Sequence, residues 1–180
     1  MRLTGERCVV RPWRATDVDL LVRHANNIKI ASQLRDRFPH PYTRADAEQF
    51  LQIATHVAYG GSVLAIEVDG QAAGGVGITL GTDVERYSAE VGYWLGEAYW
   101  GRGIVTEAVM LLTSHAFERM NLLRLFALPF ADNTRSVRVL EKGGYGREGL
   151  LRSSAVKYGK PRDQYVYARV NDAWIAPPAF

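Results

Sequence analysis

Apolar residues follow two different spacings along this chain. In some segments they recur every three to four residues, which is typical of an amphipathic helix, and in others every second residue, which is typical of a strand. The helical spacing predicts helices over residues 16–25, 28–34, 43–59, 102–120 and 133–142. The alternating spacing predicts strands over residues 7–13, 63–68, 72–80, 89–95, 124–128, 145–152 and 164–170.

The order of these elements favours a mixed α/β chain over a simple doubly wound parallel sheet. Several adjacent strands precede the first central helix, whereas a doubly wound sheet alternates strands with helices. The pair Asp69-Gly70 suits the positive φ values of a type I′ hairpin turn between two of these strands. Since no linker, repeat or low-complexity tract interrupts residues 1–180, we expect a single domain.

Composition and charge narrow the class of partner. The chain has a net charge of +3, yet residues 135–169 carry nine Lys or Arg against three acids. Such a basic third suits a phosphorylated cofactor, although a solvated basic face would look the same. Nucleic acid is not favoured, because no basic run is interleaved with aromatics. We see no metal-ligand spacing among His, Cys, Asp and Glu, no membrane-spanning stretch and no secretory signal, and therefore expect a cytoplasmic protein.

The densest candidate chemistry lies in residues 89–108, AEVGYWLGEAYWGRGIVTEA. This segment predicts a strand, a glycine-bearing loop and the start of a helix. Gly101 and Gly103 allow close approach of a ligand, and a helix start offers unpaired N–H groups, so the loop could cradle a pyrophosphate. A tight strand-to-helix turn explains the same glycines. The run lacks the third glycine of a Rossmann fingerprint and the Gly-Lys-Ser/Thr of a P-loop.

These residues resemble the cofactor motif of the GNAT acetyltransferases, in the RimJ/RimL-like group that acetylates protein N-terminal amines and related substrates. A second segment, NTRSVRVLEKGGY at 133–145, is similar to that group's N-x-x-S-x-x-V-L-E-K-x-G-F, and the resemblance extends over about residues 3–169. It implies a GNAT fold with a mostly antiparallel central sheet flanked by helices and a core over about residues 3–170. It also implies an enzyme that uses acetyl-CoA, without a metal, to acetylate a primary amine.

The resemblance further implies how the cofactor is held. The pantetheine amides would pair with the main chain of Trp94 and Leu95, in the manner of strand addition. Val105 stands where the wider pattern has Gly or Ala, and we expect its branched side chain to crowd the pyrophosphate. The residues expected to hold the pyrophosphate are Gly101, Arg102, Gly103, Ile104, Val105 and Thr106. Asn133 and Ser136 would reach the thiol end, and Asn133 also suits a helix N-cap.

Amine attack on a thioester requires a base for the amine and a proton for the departing thiolate. Glu90 matches a strand position where some GNAT enzymes place the base, although an exposed strand carboxylate is the alternative. Ser136 is the first candidate proton donor and Tyr145 the second. The acceptor should meet residues 33–42, including Arg35, Asp36 and Phe38. A protein N-terminal amine is favoured; a polyamine, an aminoglycoside, a CoA-binding module without transferase activity and a homodimer stay open.

Overall fold

The computed structural model describes residues 1–55 and 61–177, in which helices cover both faces of a single sheet. The helices are α1 (Val18–Ala25), α2 (Ile28–Ala31), α3 (Arg44–Thr55), α4 (Ile104–Arg119) and α5 (Thr134–Lys142). The strands are β1 (Leu3–Thr4), β2 (Val9–Pro12), β3 (Gly61–Val68), β4 (Gln71–Leu80), β5 (Ser88–Leu95), β6 (Arg124–Ala127), β7 (Gly146–Lys157) and β8 (Lys160–Val170).

The strands lie in the order β1-β2-β3-β4-β5-β6-β8-β7. Neighbouring strands are antiparallel except β5 and β6, which run parallel because the chain crosses back through α4 between them. The predicted mostly antiparallel mixed sheet flanked by helices is therefore confirmed.

The β3–β4 and β7–β8 hairpins show what apolar spacing can and cannot locate. Asp69 and Gly70 have φ values of 49° and 79°, as the predicted type I′ turn requires. β7 and β8 are longer than expected and meet at a similar turn, Tyr158-Gly159, with φ values of 50° and 72°. Because most of β7 is exposed, it lacks the alternation that would reveal its length. The helix expected over 43–59 is observed over Arg44–Thr55, and the rest of the expected span, 56–59, lies outside the described residues.

The sheet separates two apolar clusters. On one face α4 buries Ile104, Ala108 and Leu112 against the central strands. On the other face α1 and α3 contribute Leu21 and Leu51 to a cluster around Trp13. This packing fixes α4, and therefore its N-terminus, against β5.

A buried ion network fastens the first elements together. The guanidinium of Arg11 donates to the two carboxylate oxygens of Asp17 at 2.7 and 2.9 Å, and its Nε donates to Glu67 at 2.5 Å. Asp17 also accepts the N–H of Arg14 at 2.9 Å, which caps the turn before α1. Since all three charged side chains are buried, each depends on the others to offset its lost hydration.

Candidate active site

A gap opens in the middle of the sheet where β5 and β6 separate. Their parallel pairing ends at Glu90 and Phe126, yet β5 continues to Leu95, where β4 is its only partner among the described strands. The gap forms part of a cleft of about 1210 Å³, which extends from α2 to the start of α4 and to α5. The cleft has the size of a ligand pocket rather than of a packing defect.

The register of β5 decides which main-chain groups face this gap. Gly96 N–H donates to Ala73 and Gly81 N–H donates to Ser88, each at 2.8 Å. In an antiparallel pair only every second residue forms main-chain hydrogen bonds with a given neighbour. Because Gly96 bonds to β4, Trp94, two residues earlier, also directs its main-chain groups at β4. Tyr93 and Leu95, rather than Trp94, are the residues whose main-chain groups face the gap, and the Leu95 carbonyl already accepts a hydrogen bond from Trp100 Nε1 at 2.7 Å. The expected pairing of pantetheine with Trp94 stays a prediction that this register does not favour.

Side chains of β5 alternate between the two faces of the sheet. Val91 and Leu95 are buried in the α4 cluster, whereas Glu90 and Trp94 face the segment that follows α2. Gly92 lies between Glu90 and Trp94 on that face and is exposed. A Cβ at Gly92 would meet no atom of residues 1–55 and 61–177 within 4 Å, so the space above this residue is open in the described structure.

The loop before α4 has the geometry of an anion cradle. Gly101 and Gly103 have φ values of 76° and 74°, a region that favours glycine. The first helical hydrogen bond runs from Glu107 N–H to Gly103 O, so the N–H groups of residues 104–106 have no carbonyl partner in the helix and are available at its positive end. The side chain of Val105 packs against the core, which reduces the crowding expected from it.

Glu107 fastens the N-terminal segment across this helix start. Its carboxylate accepts the N–H groups of Glu6, Arg7 and Cys8 at 3.0, 2.7 and 3.0 Å. Burial acts to raise the pKa of Glu107, but these hydrogen bonds bring it below its ordinary value. The Arg7 side chain consequently lies above Gly103, 3.5 Å from where a Cβ would stand.

Further basic side chains surround the cradle. Arg135 stacks on the Trp100 ring at 4.5 Å, and Arg102 lies 5.8 Å from the centroid of Tyr99. The Lys and Arg side chains that line the whole cleft are Arg7, Lys29, Arg35, Arg102, Arg135, Arg138 and Lys142. An anion at the cradle would therefore meet several positive charges.

Ser136 lies on the α5 side of the gap. Its hydroxyl is 2.8 Å from the hydroxyl of Tyr93, and its N–H donates to Asn133 Oδ1 at 3.1 Å, so Asn133 is the N-cap of α5. Burial raises the pKa of Tyr93, which keeps the phenol protonated. Tyr145, the second candidate donor, is buried with its hydroxyl 2.8 Å from that of Thr113 and does not line the cleft.

Glu90 lies on the opposite face of β5 and forms an ion pair with Arg35. The predicted acceptor segment does reach the cleft, which Gln33, Leu34 and Arg35 line. Asp36, the next residue, accepts a hydrogen bond from Lys157 Nζ at 2.8 Å. The segment after α2 is thus linked to β5 through Arg35 and to the β7–β8 hairpin through Asp36.

A comparison with known protein families identifies the family to which this chain belongs. The sequence model of the acetyltransferase (GNAT) domain matches residues 7–146. The chain belongs to the GNAT acetyltransferase family. It is therefore an N-acetyltransferase that uses acetyl-CoA as its acetyl donor, and the expected family and enzyme class are confirmed.

Individual relatives agree with this assignment. The chain is 28% identical to the uncharacterized N-acetyltransferase p20 of Bacillus licheniformis, over 92% of this chain and 94% of that one. It is 27% identical to the spermidine N(1)-acetyltransferase of Escherichia coli K12, over 79% and 74% of the two chains. Its fold is similar to that of RimL, a ribosomal L7/L12 alpha-N-protein acetyltransferase solved with coenzyme A, with a TM-score of 0.85 at 21% identity over 96% and 99% of the chains.

Three features of this GNAT enzyme escaped sequence reasoning. The roles of Arg7 and Glu107 rest on contacts about a hundred residues apart, and that of Tyr93 on strand register, none of which leaves a local pattern.

Within residues 1–55 and 61–177, no three His, Cys, Asp or Glu side chains are grouped so that they could hold a metal ion. The helices in these ranges are too short or too polar to cross a membrane.

Proposed function

We propose that this enzyme acetylates the α-amine of a peptide or protein N-terminus, with Glu90 as the general base and Ser136 as the proton donor. The observation that carries this proposal is the placement of the two side chains. They lie on opposite faces of β5, both lining the cleft where β5 and β6 part. A thioester in the gap would therefore have a base on one side and a hydroxyl on the other.

The residues around the cleft fit the cofactor. The two positive-φ glycines leave space that a Cβ would fill, and the free N–H groups of residues 104–106 suit a pyrophosphate. Gly101, Arg102, Gly103 and Thr106 would complete this cradle, and the main chain of Leu95 and Tyr93 would hold the pantetheine amides. The cofactor supplies the thioester; the chain supplies position, charge and protons.

The proposed chemistry divides between Glu90 and Ser136. The Glu90 carboxylate takes a proton from the ammonium of the acceptor, so that the neutral amine can attack the thioester carbon. The C–S bond then breaks as the new C–N bond forms, and the Ser136 hydroxyl gives its proton to the departing sulfur. The proton on Glu90 returns to solvent, and the second proton that the nitrogen loses as it becomes an amide replaces the one that Ser136 gave to sulfur.

The charges of the cleft favour an N-terminal amine over a polyamine. Among residues 1–55 and 61–177, three carboxylates line the cleft, Glu6, Glu90 and Glu107, and each already has cationic or N–H partners. Seven Lys and Arg side chains from the same ranges line this space. A ligand with several positive charges would meet net repulsion, whereas an N-terminus brings one charge and loses it before attack.

The test compares acceptors directly. Thiol release from acetyl-CoA is followed with a free-N-terminus peptide, the same peptide with a blocked N-terminus, spermidine and an aminoglycoside. We expect acetylation of the free peptide alone. Equal rates with the blocked peptide, or a preference for spermidine or the aminoglycoside, would replace the acceptor assignment. Cofactor binding without release for any amine would identify a non-catalytic module.

A further inference from the structure

We propose that the preferred acceptor carries an anionic group beside its free amine, and that Arg35 binds this anion when the amine takes the place of Arg35 on Glu90. The inference rests on the proposed function, because it names the class of N-terminus that the same site would select. The substrate would be a peptide with Asp or Glu directly after its first residue.

The proposal begins from the partner that Glu90 has in the free enzyme. Its carboxylate is paired with the Arg35 guanidinium, so an incoming ammonium competes for the same oxygens. The Arg35 side chain is 55% exposed and that of Glu90 30%, and an ion pair in such a setting is weak. Exchange of partners at Glu90 is therefore feasible on binding.

The segment that carries Arg35 is held in place by its neighbours. Asp36 is tied to Lys157, whose side chain is only 4% exposed. Phe38 N–H donates to Arg35 O at 2.9 Å, and the Phe38 ring packs on Trp94 with centroids 5.5 Å apart. The displaced guanidinium consequently stays at the cleft, where it lines the wall.

No acid on the same segment can neutralise the displaced Arg35. The adjacent carboxylate, Asp36, already pairs with Lys157. Lys29, the other cation from the α2 side, pairs with Glu97 and so adds no free acid. An anion from the substrate would restore the charge balance, since one ammonium and one carboxylate would replace the two members of the original pair.

The structure also leaves room for such an acceptor. The open space above Gly92 lies on the face that carries Glu90 and Trp94. Gln33, which lines the cleft, has a buried Oε1 without a hydrogen-bond partner among the described residues. The acceptor site thus offers the Glu90 carboxylate for the nitrogen and the Arg35 guanidinium for a neighbouring carboxylate.

The experiment uses three peptides that differ only in their second residue, Asp, Asn or Lys, and measures kcat/KM for each at low salt. We expect the wild-type enzyme to prefer Asp over Lys by about tenfold, which is on the order of what gaining one partly exposed ion pair and losing one repulsion supplies. Arg35→Glu should invert the order, and Arg35→Gln should make the three rates similar.

The matched control is Arg37→Glu. It makes the same charge change two positions away at an exposed residue that does not line the cleft, and it should keep the wild-type order. Acetyl-CoA affinity and a thermal melt confirm that each variant is folded. An unchanged order in both Arg35 variants, or equal rates for the three peptides in the wild type, overturns this inference alone. No acetylation of any peptide by the wild type overturns it together with the proposed function.

Discussion

The hydroxyl of Tyr93 lies 2.8 Å from the Ser136 hydroxyl and 3.2 Å from the Ser136 carbonyl oxygen. Because burial keeps the phenol protonated, Tyr93 can donate to Ser136 Oγ. The serine's own hydrogen is then free to point into the cleft, where the thiolate would depart. Tyr93 is therefore a positioning residue for the proposed proton donor.

We accordingly expect Ser136→Ala to lower kcat by about 10²-fold, at the lower end of general acid–base effects. Tyr93→Phe should lower kcat less, since the serine remains. Calorimetry should show acetyl-CoA affinity within a few-fold of wild type for both variants. A rise in KM for acetyl-CoA that accounts for the whole loss would instead assign Ser136 to cofactor binding.

Replacing Glu90 by Gln should lower kcat by ~10²–10⁴-fold near neutral pH, where the acceptor amine is mostly protonated. The deficit should shrink as pH rises, because the free amine then becomes abundant. The measurement is a pH–rate profile, with Glu118→Gln on the exposed side of α4 as the control. A mutant profile parallel to that of the wild type would mean that Glu90 is only an exposed strand carboxylate.

Two glycine substitutions should distinguish the acceptor side of the cleft from the cofactor side. Gly92→Val fills the open space beside Glu90 and should raise KM for the acceptor by about tenfold or more, with little change in acetyl-CoA affinity. Gly103→Val places a branched side chain at a φ of 74° and should weaken acetyl-CoA binding instead. Calorimetry measures the acetyl-CoA affinity of both variants, and steady-state kinetics measure KM for the acceptor. Undiminished acetyl-CoA affinity in folded Gly103→Val excludes the proposed pyrophosphate cradle.

Cys8 should be inert in the folded protein. Burial, together with hydrogen bonding to Glu107 and the charge of that carboxylate, raises the pKa of Cys8 to about 12. Almost no thiolate is then present at pH 8, and only the thiolate reacts with iodoacetamide. Labelling should be slow in buffer and fast in denaturant. Equal rates in the two conditions would show that Cys8 is accessible and ionised.

Removing the buried guanidinium of Arg11 should destabilise the fold. Arg11→Met leaves Asp17 and Glu67 buried without their main partner, at a cost of about 3–5 kcal/mol in the free energy of unfolding. Arg14→Met is the control, because Arg14 is half exposed and contacts Glu67 only at 3.5 Å, so its loss should cost less than about 1 kcal/mol. Urea unfolding curves measure both.

The penalty for Arg11→Met should also depend on pH. Hydrogen bonding to Arg11 holds the pKa of Glu67 below its ordinary value in the folded state, although burial opposes this. A depressed carboxyl pKa stabilises the fold above the unfolded-state pKa of about 4.3, and the stabilisation is lost as pH falls through the folded-state pKa. The difference between wild type and mutant should therefore narrow below about pH 4. A constant difference would mean that the ion network contributes nothing through Glu67.

Local pattern located the parts of the site that depend on local geometry. The helix expected from residue 102 begins at Ile104, after the positive-φ Gly103. The hairpin turn at Asp69-Gly70 and the N-cap at Asn133 follow from the residue types that such positions require. The structure agrees with these predictions because φ preferences and capping act within a few residues.

Contacts between segments far apart in the chain could not be predicted, because they leave no pattern in the local sequence. Arg35 and Glu90 are 55 residues apart, and only the path of the chain after α2 brings them together. The choice between Trp94 and Tyr93 as main-chain partners depends on whether a residue is odd or even in the register with β4, which a sequence motif does not encode. Such details require the folded chain.

The separation of β5 from β6 has a consequence for how the enzyme responds to its surroundings. The main-chain groups of Tyr93 and the N–H of Leu95 form an open seam inside the sheet, while the Leu95 carbonyl already accepts a hydrogen bond from Trp100 Nε1 at 2.7 Å. The pantetheine arm proposed to pair with this seam is common to acetyl-CoA and to released CoA. Pairing of pantetheine with this seam therefore does not distinguish acetyl-CoA from CoA. The rate of this enzyme should follow the ratio of the two in the cell rather than the concentration of acetyl-CoA alone.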